Sequence, residues 1–142
     1  MNKIQFKITT PEKTVYDQLI DQVSIPTKMG EITVLPNHIP LVAALLPGEL
    51  RIIRDKEETV MAVSGGFVEV LPNQVTILAD TAERAEEIDV ERAQEAHQRA
   101  QKLLTEKRAD AESFAALSAK IEKELARLRV ARKKKYRNLP PR

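Results

Sequence analysis

The residues that interrupt regular structure are confined to the first half of this sequence. All four glycines and six of the eight prolines lie before residue 73, and no further glycine or proline occurs until Pro140. Both residues destabilise the interior of a helix, whereas they are common in the turns between strands. The chain is therefore predicted to divide into a β part followed by a helical part.

The first part shows the alternation of apolar and polar residues that is typical of half-buried strands. Ile4, Phe6 and Ile8 alternate with polar neighbours, and short β-rich runs follow between turns that contain Pro, Gly or Asn. The predicted strands cover residues 3–8, 22–25, 31–35, 41–45, 50–54, 59–64, 67–71 and 75–79. Turns at such close intervals predict an antiparallel sandwich or barrel of about 80 residues.

After residue 89, apolar residues recur at intervals of three and four, first in an alanine-rich stretch and then over residues 114–128. Asp89 and Ser113 stand where helix caps are expected, with a polar break near residues 108–112. Two amphipathic helices in an antiparallel hairpin are predicted, which gives a β domain at residues 1–84 and a helical domain at 85–142. Because alanine buries little surface, we expect this hairpin to be weakly held and able to move.

The two parts carry opposite charge. Residues 1–80 hold 7 basic and 10 acidic side chains, a net of −3, whereas residues 81–142 hold 16 basic and 11 acidic ones, a net of +5. No acidic residue follows Glu124. This basic tail has three interpretations: a patch that binds nucleic acid, a solvated helix end that complements the helix dipole, or a surface that docks onto an acidic protein.

Several classes of function lack the residues that they require. The chain has no cysteine and two histidines, and it contains no nucleophile motif or phosphate-binding glycine loop. His38 and His97 alone do not make a metal site. The longest apolar run has six residues, too few to span a bilayer, and the N-terminal residues do not resemble a signal peptide. We therefore predict a protein that is not an enzyme, with no catalytic residues, no metal site and no required cofactor.

Four segments in the same order resemble the epsilon subunit of bacterial F-type ATP synthase: residues 30–42 (GEITVLPNHIPLV), 62–70 (AVSGGFVEV), 75–79 (VTILA) and 82–89 (AERAEEID). The resemblance extends over about residues 3–105. It implies an α+β fold, with an N-terminal antiparallel β-sandwich followed by a C-terminal two-helix hairpin. It also implies a non-catalytic rotor subunit in the central stalk of a proton-translocating enzyme, at the cytoplasmic face of the bacterial cell membrane.

The partners that the resemblance implies are the gamma subunit and the ring of c subunits, on which the sandwich rests. The residues that match the ring-contacting loop are Glu31, Pro36 and His38. A turn bracketed by prolines is rigid enough to transmit torque. In the alternative interpretation, Pro36 and Asn37 simply form a tight turn between two strands.

Residues 88–93 (IDVERA) are similar to a motif with which some bacterial epsilon subunits bind ATP. By that similarity, ATP is a regulatory ligand, and its predicted contacts are Glu83, Ile88, Asp89, Arg92, Ala93, Arg99, Lys123 and Arg127. The arginines at positions 92 and 99 are two helical turns apart and can flank a polyphosphate. The spacing of Asp89 and Arg92 is also that of an ordinary helix cap.

The resemblance further implies a hairpin with two positions, folded against the sandwich or extended along the stalk. In the extended position, basic residues would contact the catalytic alpha and beta subunits and inhibit ATP hydrolysis. These residues are Lys123, Arg127, Arg129, Arg132, Lys133 and Lys134. ATP bound to the folded form would keep the hairpin down. The alternative function is a nucleic-acid-binding adaptor with a basic helical tail, whereas the rotor interpretation predicts no nucleic-acid partner and only indirect contact with the membrane.

Overall fold

The computed structural model describes residues 2–106 and 111–137, which form a β-sandwich followed by two helices. The strands are β1 (Ile4–Thr9), β2 (Thr14–Ile20), β3 (Gln22–Thr27), β4 (Gly30–Val34), β5 (Leu41–Ala44), β6 (Gly48–Arg54), β7 (Glu57–Ser64), β8 (Phe67–Leu71), β9 (Gln74–Leu78) and β10 (Thr81–Arg84). A single turn of 3-10 helix, Ala85–Glu87, precedes the helices α1 (Val90–Glu106) and α2 (Ala111–Arg137).

The strands form two five-stranded sheets that pack face to face. Sheet I has the order β2-β1-β9-β8-β5 and sheet II the order β10-β7-β6-β3-β4. Neighbouring strands are antiparallel except for β1 and β9, which are parallel. Apolar side chains from alternate positions of both sheets fill the space between them, as Ile4, Phe6 and Ile8 of β1 do. The predicted β-sandwich with a C-terminal helical pair is confirmed.

Two strands were missing from the sequence prediction, β2 and β10. Each lies at an edge of its sheet, where it pairs with one neighbouring strand among the described residues. In β2 only Tyr16 and Ile20 are buried, and in β10 only Ala82 is buried. Because edge strands need few buried side chains, neither segment shows the alternation on which the prediction relied.

The helical part agrees with the prediction at its start and departs from it later. Asp89 caps α1, since its Oδ1 accepts a hydrogen bond from the backbone N–H of Arg92 at 3.1 Å. The predicted cap at Ser113 is wrong, because α2 begins at Ala111 and already includes this residue. Of the predicted polar break at residues 108–112, residues 108–110 lie outside the described residues, and residues 111–112 are instead the first two of α2.

Candidate functional site

The hairpin lies against the outer face of sheet II. Helix α2 contacts α1 on one side and β6, β7 and the 3-10 turn on the other. Its contact with the sandwich includes a small apolar cluster, separate from the core between the sheets, formed by Ala62, Ile88, Val130 and Ala131. Two of these four side chains are alanines, which allow close approach but remove little apolar area from water. The apolar contact between hairpin and sandwich is therefore small.

Arg127 forms a charged junction beside this cluster. Its Nε donates to Oε2 of Glu83 on β10 at 2.6 Å, and its Nη1 donates to Oε2 of Glu124 on its own helix at 2.8 Å. Glu124 is 4% exposed. Burial lowers the pKa of the Arg127 guanidinium, but the hydrogen bonds to the two carboxylates outweigh this effect and raise the pKa above its ordinary value. Arg127 thus stays charged and joins hairpin to sandwich.

Two lysines of α2 form further ion pairs with the sandwich side. Lys133 Nζ donates to Oε1 of Glu49 on β6 at 2.6 Å, and Lys134 Nζ lies 3.2 Å from Oε1 of Glu86 in the 3-10 turn. The pKa of Glu86 is lowered, mainly by the hydrogen bond from its own backbone N–H and then by the one from Lys134. Glu49 on sheet II and Glu86 in the 3-10 turn therefore give the basic end of α2 two acidic partners.

A cavity of about 330 Å³ remains at this interface. It is lined by Val130, Lys133 and Lys134 of α2, by Ala85 and Glu86 of the 3-10 turn, and by Glu58, Thr59 and Val60 of β7. None of the eight residues predicted to bind nucleotide lines this cavity.

The structure brings three of the eight predicted nucleotide-binding residues to the junction between sandwich and hairpin. Glu83 and Arg127 form the ion pair described above, and Ile88 belongs to the apolar cluster. Ala93 is fully buried. A ligand at this junction would meet Glu83 of the sandwich and Arg127 of the hairpin. These two side chains already form an ion pair with each other.

Of the other predicted nucleotide-binding residues, Asp89 caps α1 and the rest lie on the two helices. Arg92 is 84% exposed, and its Nε lies 3.7 Å from Oδ2 of Asp89. Arg99 is exposed and its Nε donates to the backbone carbonyl of Glu95 at 3.5 Å, while Lys123 is half-buried. Within the described part of the chain, neither Arg92 nor Arg99 pairs with Glu83. An ATP site that uses all eight residues stays a prediction.

The loop predicted to contact the c ring lies at one end of the sandwich. Glu31 is exposed on β4, and its Oε1 accepts a hydrogen bond from Nη2 of Arg51 at 2.6 Å. Pro36 and His38 are half-buried in the following turn, where Nδ1 of His38 lies 2.6 Å from the carbonyl oxygen of Ile39. Asn37 has a φ of +66° and donates its backbone N–H to the carbonyl of Pro72 at 2.7 Å. The loop is thus anchored to the β8–β9 turn.

Two exposed apolar surfaces were missed by the sequence prediction. One is on the outer face of sheet I, where Val42, Phe67 and Leu78 line a groove. The other includes Leu35 and Ile39, beside the predicted ring-contacting loop. The sequence does contain a signal for the first surface. A strand with one solvent-exposed face alternates apolar and polar residues, whereas Phe67-Val68 and Ile77-Leu78 place apolar residues on both faces of their strands.

Residues 2–106 and 111–137 hold neither a metal-binding cluster nor a helix that could cross a membrane. Three or more His, Cys, Asp or Glu side chains do not come together there in a way that would hold a metal ion. Neither described helix has the length and apolar character needed to cross a membrane.

Comparison with known proteins identifies the family of this chain. Residues 3–85 match the family model of the ATP synthase delta/epsilon chain β-sandwich domain, and residues 86–132 match that of its long α-helix domain. The chain is 48% identical over 128 residues to the ATP synthase epsilon chain of Chloroflexus aggregans, covering 90% of this chain and 91% of the relative. It is 46% identical to the epsilon chain of Syntrophobacter fumaroxidans, covering 92% and 97%.

Two solved structures share the fold. A chain in the Euglena gracilis mitochondrial ATP synthase structure of OSCP, F1 and c-ring aligns with a TM-score of 0.77 at 24% identity, covering 89% of this chain and 79% of that one. A chain in the central stalk and c-ring structure from Tetrahymena thermophila mitochondrial ATP synthase aligns with a TM-score of 0.53 at 17% identity, covering 94% and 98%. The matches do not support a nucleic-acid adaptor. The chain belongs to the family of epsilon subunits of bacterial F-type ATP synthases, as its sequence motifs predict.

Proposed function

We propose that this chain is a non-catalytic rotor subunit in the central stalk of a proton-translocating ATP synthase. In this role the sandwich couples rotation of the c ring to F1, and the hairpin inhibits ATP hydrolysis when it leaves the sandwich. The observation that carries the proposal is the nature of the contact between the two parts. It consists of a small apolar cluster and ion pairs such as Arg127–Glu83, while the core of the sandwich is separate. Such a contact can open without unfolding the sandwich.

The groove on sheet I is the surface that we assign to the gamma subunit. Val42, Phe67 and Leu78 expose apolar side chains next to one another, and such a patch is typical of a protein-protein interface. A chain bound in this way stays peripheral and reaches the cytoplasmic face of the cell membrane only through the complex.

The end of the sandwich that carries Glu31, Pro36 and His38 is the surface that we assign to the c ring. The carboxylate of Glu31 is exposed and can pair with a cation. Leu35 and Ile39 add exposed apolar area, and the backbone hydrogen bond from Asn37 to Pro72 restrains the turn. A rigid contact of this kind transmits torque.

Inhibition requires basic residues that are free when the hairpin is extended. Arg129 and Arg132 are exposed even in the folded position. Three further cations, Arg127, Lys133 and Lys134, would lose their carboxylate partners as α2 leaves. Together with Lys123 they would form a basic surface that binds an acidic segment of the beta subunits, within the ring of catalytic alpha and beta subunits. Charge complementarity of this kind opposes rotation in the direction of hydrolysis.

ATP would act on the folded position. The predicted contacts come from the sandwich (Glu83), from α1 (Arg92 and Arg99) and from α2 (Lys123 and Arg127). A ligand that bridges these elements binds only when the hairpin is folded, so it shifts the population toward that position. ATP is then a regulatory ligand rather than a required cofactor.

Co-purification with gamma and c subunits tests the assignment of the groove on sheet I to gamma. We expect Phe67→Glu to abolish capture of gamma by the full-length chain, because it places a charge in the apolar groove. The matched control is Leu19→Glu on β2 of the same sheet, since Leu19 is 53% exposed and Phe67 is 60% exposed. Capture of gamma by both variants, or by neither, would contradict the assignment.

A further inference from the structure

Four alternating charges cross the outer face of sheet II. Glu31 on β4 accepts from Arg51 Nη2 at 2.6 Å, and Arg51 Nε lies 3.7 Å from Oε1 of Glu49 on β6. The same Oε1 accepts from Nζ of Lys133 on α2 at 2.6 Å. We name Glu31, Arg51, Glu49 and Lys133 the charge relay. It connects the loop end of the sandwich with the hairpin.

The register of the strands explains how the relay spans the sheet. Glu49 and Arg51 are two residues apart on β6, so both side chains point to the same face. Ser24 of β3 is opposite Arg51, and β3 separates β6 from β4. Because serine is small, the long side chain of Arg51 can cross β3 and reach Glu31. A bulky residue at position 24 would stand in this path.

Glu49 is the residue at which the two halves of the relay compete. Its side chain is 18% exposed, whereas those of Glu31 and Lys133 are 50% and 55% exposed. A carboxylate that has lost most of its water needs a cationic partner. Oε1 of Glu49 faces both Arg51 and Lys133. A closer approach by one cation repels the other, and the ion pair of that other cation with Glu49 weakens.

We propose that the charge relay couples the state of Glu31 to the position of the hairpin. When a cationic group of a partner pairs with Glu31, Arg51 loses its closest acceptor and moves onto Glu49. Lys133 then holds its acceptor less firmly, and the hairpin opens more often. By linkage, an open hairpin leaves Glu31 more available to the partner. The partner's identity as the c ring rests on the proposed function, whereas the coupling within the chain does not.

Thiol labelling of Val130→Cys measures the opening. The chain has no cysteine and Val130 is fully buried in the interface, so its thiol reacts only when the hairpin leaves the sandwich. We expect Glu31→Gln to speed labelling about two- to fivefold, the range of an exposed ion pair. In the Lys133→Gln background, the same substitution should have no further effect, because the competitor for Glu49 is already gone.

Two controls separate coupling from other effects. Glu12→Gln, in the exposed turn after β1, makes the same change of net charge and should leave the labelling rate unchanged. Val68→Cys places the thiol in the sandwich core, where Glu31→Gln should leave the rate unchanged if the sandwich stays folded. The proposal is overturned if Glu31→Gln leaves Val130→Cys labelling unchanged, or if it speeds labelling equally with and without Lys133.

Labelling in the presence of purified c ring in detergent tests whether the c ring is the partner that pairs with Glu31. We expect it to speed labelling of Val130→Cys in the otherwise wild-type chain, but not in the Glu31→Gln variant. If the c ring does not bind while the effect of Glu31→Gln still depends on Lys133, the assigned ring contact fails and the relay stands. If the c ring binds and speeds labelling equally in both chains, the relay is not the route and the proposal is overturned.

Discussion

Arg127 and Glu83 are 44 residues apart in the sequence, and the Nε of the first lies 2.6 Å from Oε2 of the second. This pair joins the last strand of the sandwich to the second helix. On its other side Arg127 holds Glu124, which is buried. The junction between the two parts of the chain therefore has a charged centre beside its small apolar cluster.

Removing the charge of Glu83 should loosen the hairpin. In Glu83→Gln, the partly buried guanidinium of Arg127 loses one of its two carboxylates, a loss of about 1–2 kcal/mol. We expect labelling of Val130→Cys to accelerate by about five- to thirtyfold. Glu91→Gln, on the exposed first turn of α1, is the matched control. Equal labelling rates in the two variants would show that the ion pair does not hold the hairpin.

Substitution by alanine should lower the free energy of unfolding by different amounts at two glycines with positive φ, Gly30 and Gly66. A Cβ on Gly66 would lie 1.7 Å from the carbonyl oxygen of Leu78, whereas a Cβ on Gly30 would have no heavy atom within 4 Å. Their φ values are +92° and +107°. Gly30→Ala should therefore lower the free energy of unfolding by about 1 kcal/mol through backbone strain alone, and Gly66→Ala by at least about 3 kcal/mol. Urea unfolding of both variants measures this, and equal losses would contradict the clash.

Acid should remove the contribution of Glu86 to stability. Its pKa is below the ordinary value of 4.5 because of its own backbone N–H and Lys134, with Arg84 a smaller influence. A lowered folded-state pKa stabilises the fold above 4.5, and this contribution is lost as the pH falls through the lowered value. The urea midpoint should thus be higher for wild type than for Glu86→Gln at about pH 7, and this difference should shrink as the pH falls below 4.5. A difference that does not change on acidification would contradict this assignment.

Isothermal titration tests whether ATP binds. If Arg92 and Arg99 flank the phosphates, the full-length chain should give heat with magnesium-free ATP, and Arg92→Ala or Arg99→Ala should weaken binding about tenfold or more. Arg129→Ala, which removes an exposed arginine from α2, is the control and should bind as wild type does. The absence of heat at millimolar ATP would contradict the predicted nucleotide site.

The fold was largely predictable from sequence because its signals are local. Alternation of apolar residues identified β1, and Asp89 identified the start of α1. The edge strand β2 was missed because it buries only Tyr16 and Ile20. Local patterns describe which residues one element buries, and they fail where an element buries few.

The candidate site was predictable only in part, since its geometry depends on how the helix meets the sheet. The sequence indicated that Lys133 belongs to a basic tail that could bind an acidic group. It did not indicate that this group is Glu49, which lies 84 residues away in the chain. Likewise, no local pattern relates Glu31 to Arg51, because the contact crosses an intervening strand. Resemblance supplied the candidate residues, and the tertiary structure supplied their pairing.

ATP hydrolysis by the assembled complex tests the central claim most directly. It should be compared between complexes that contain the whole chain and complexes in which the chain ends at Asp89, both with gamma and c ring retained. We predict faster hydrolysis without the hairpin, and a rate that no longer depends on previous exposure to ATP. Equal rates with equal dependence on ATP would contradict an inhibitory hairpin.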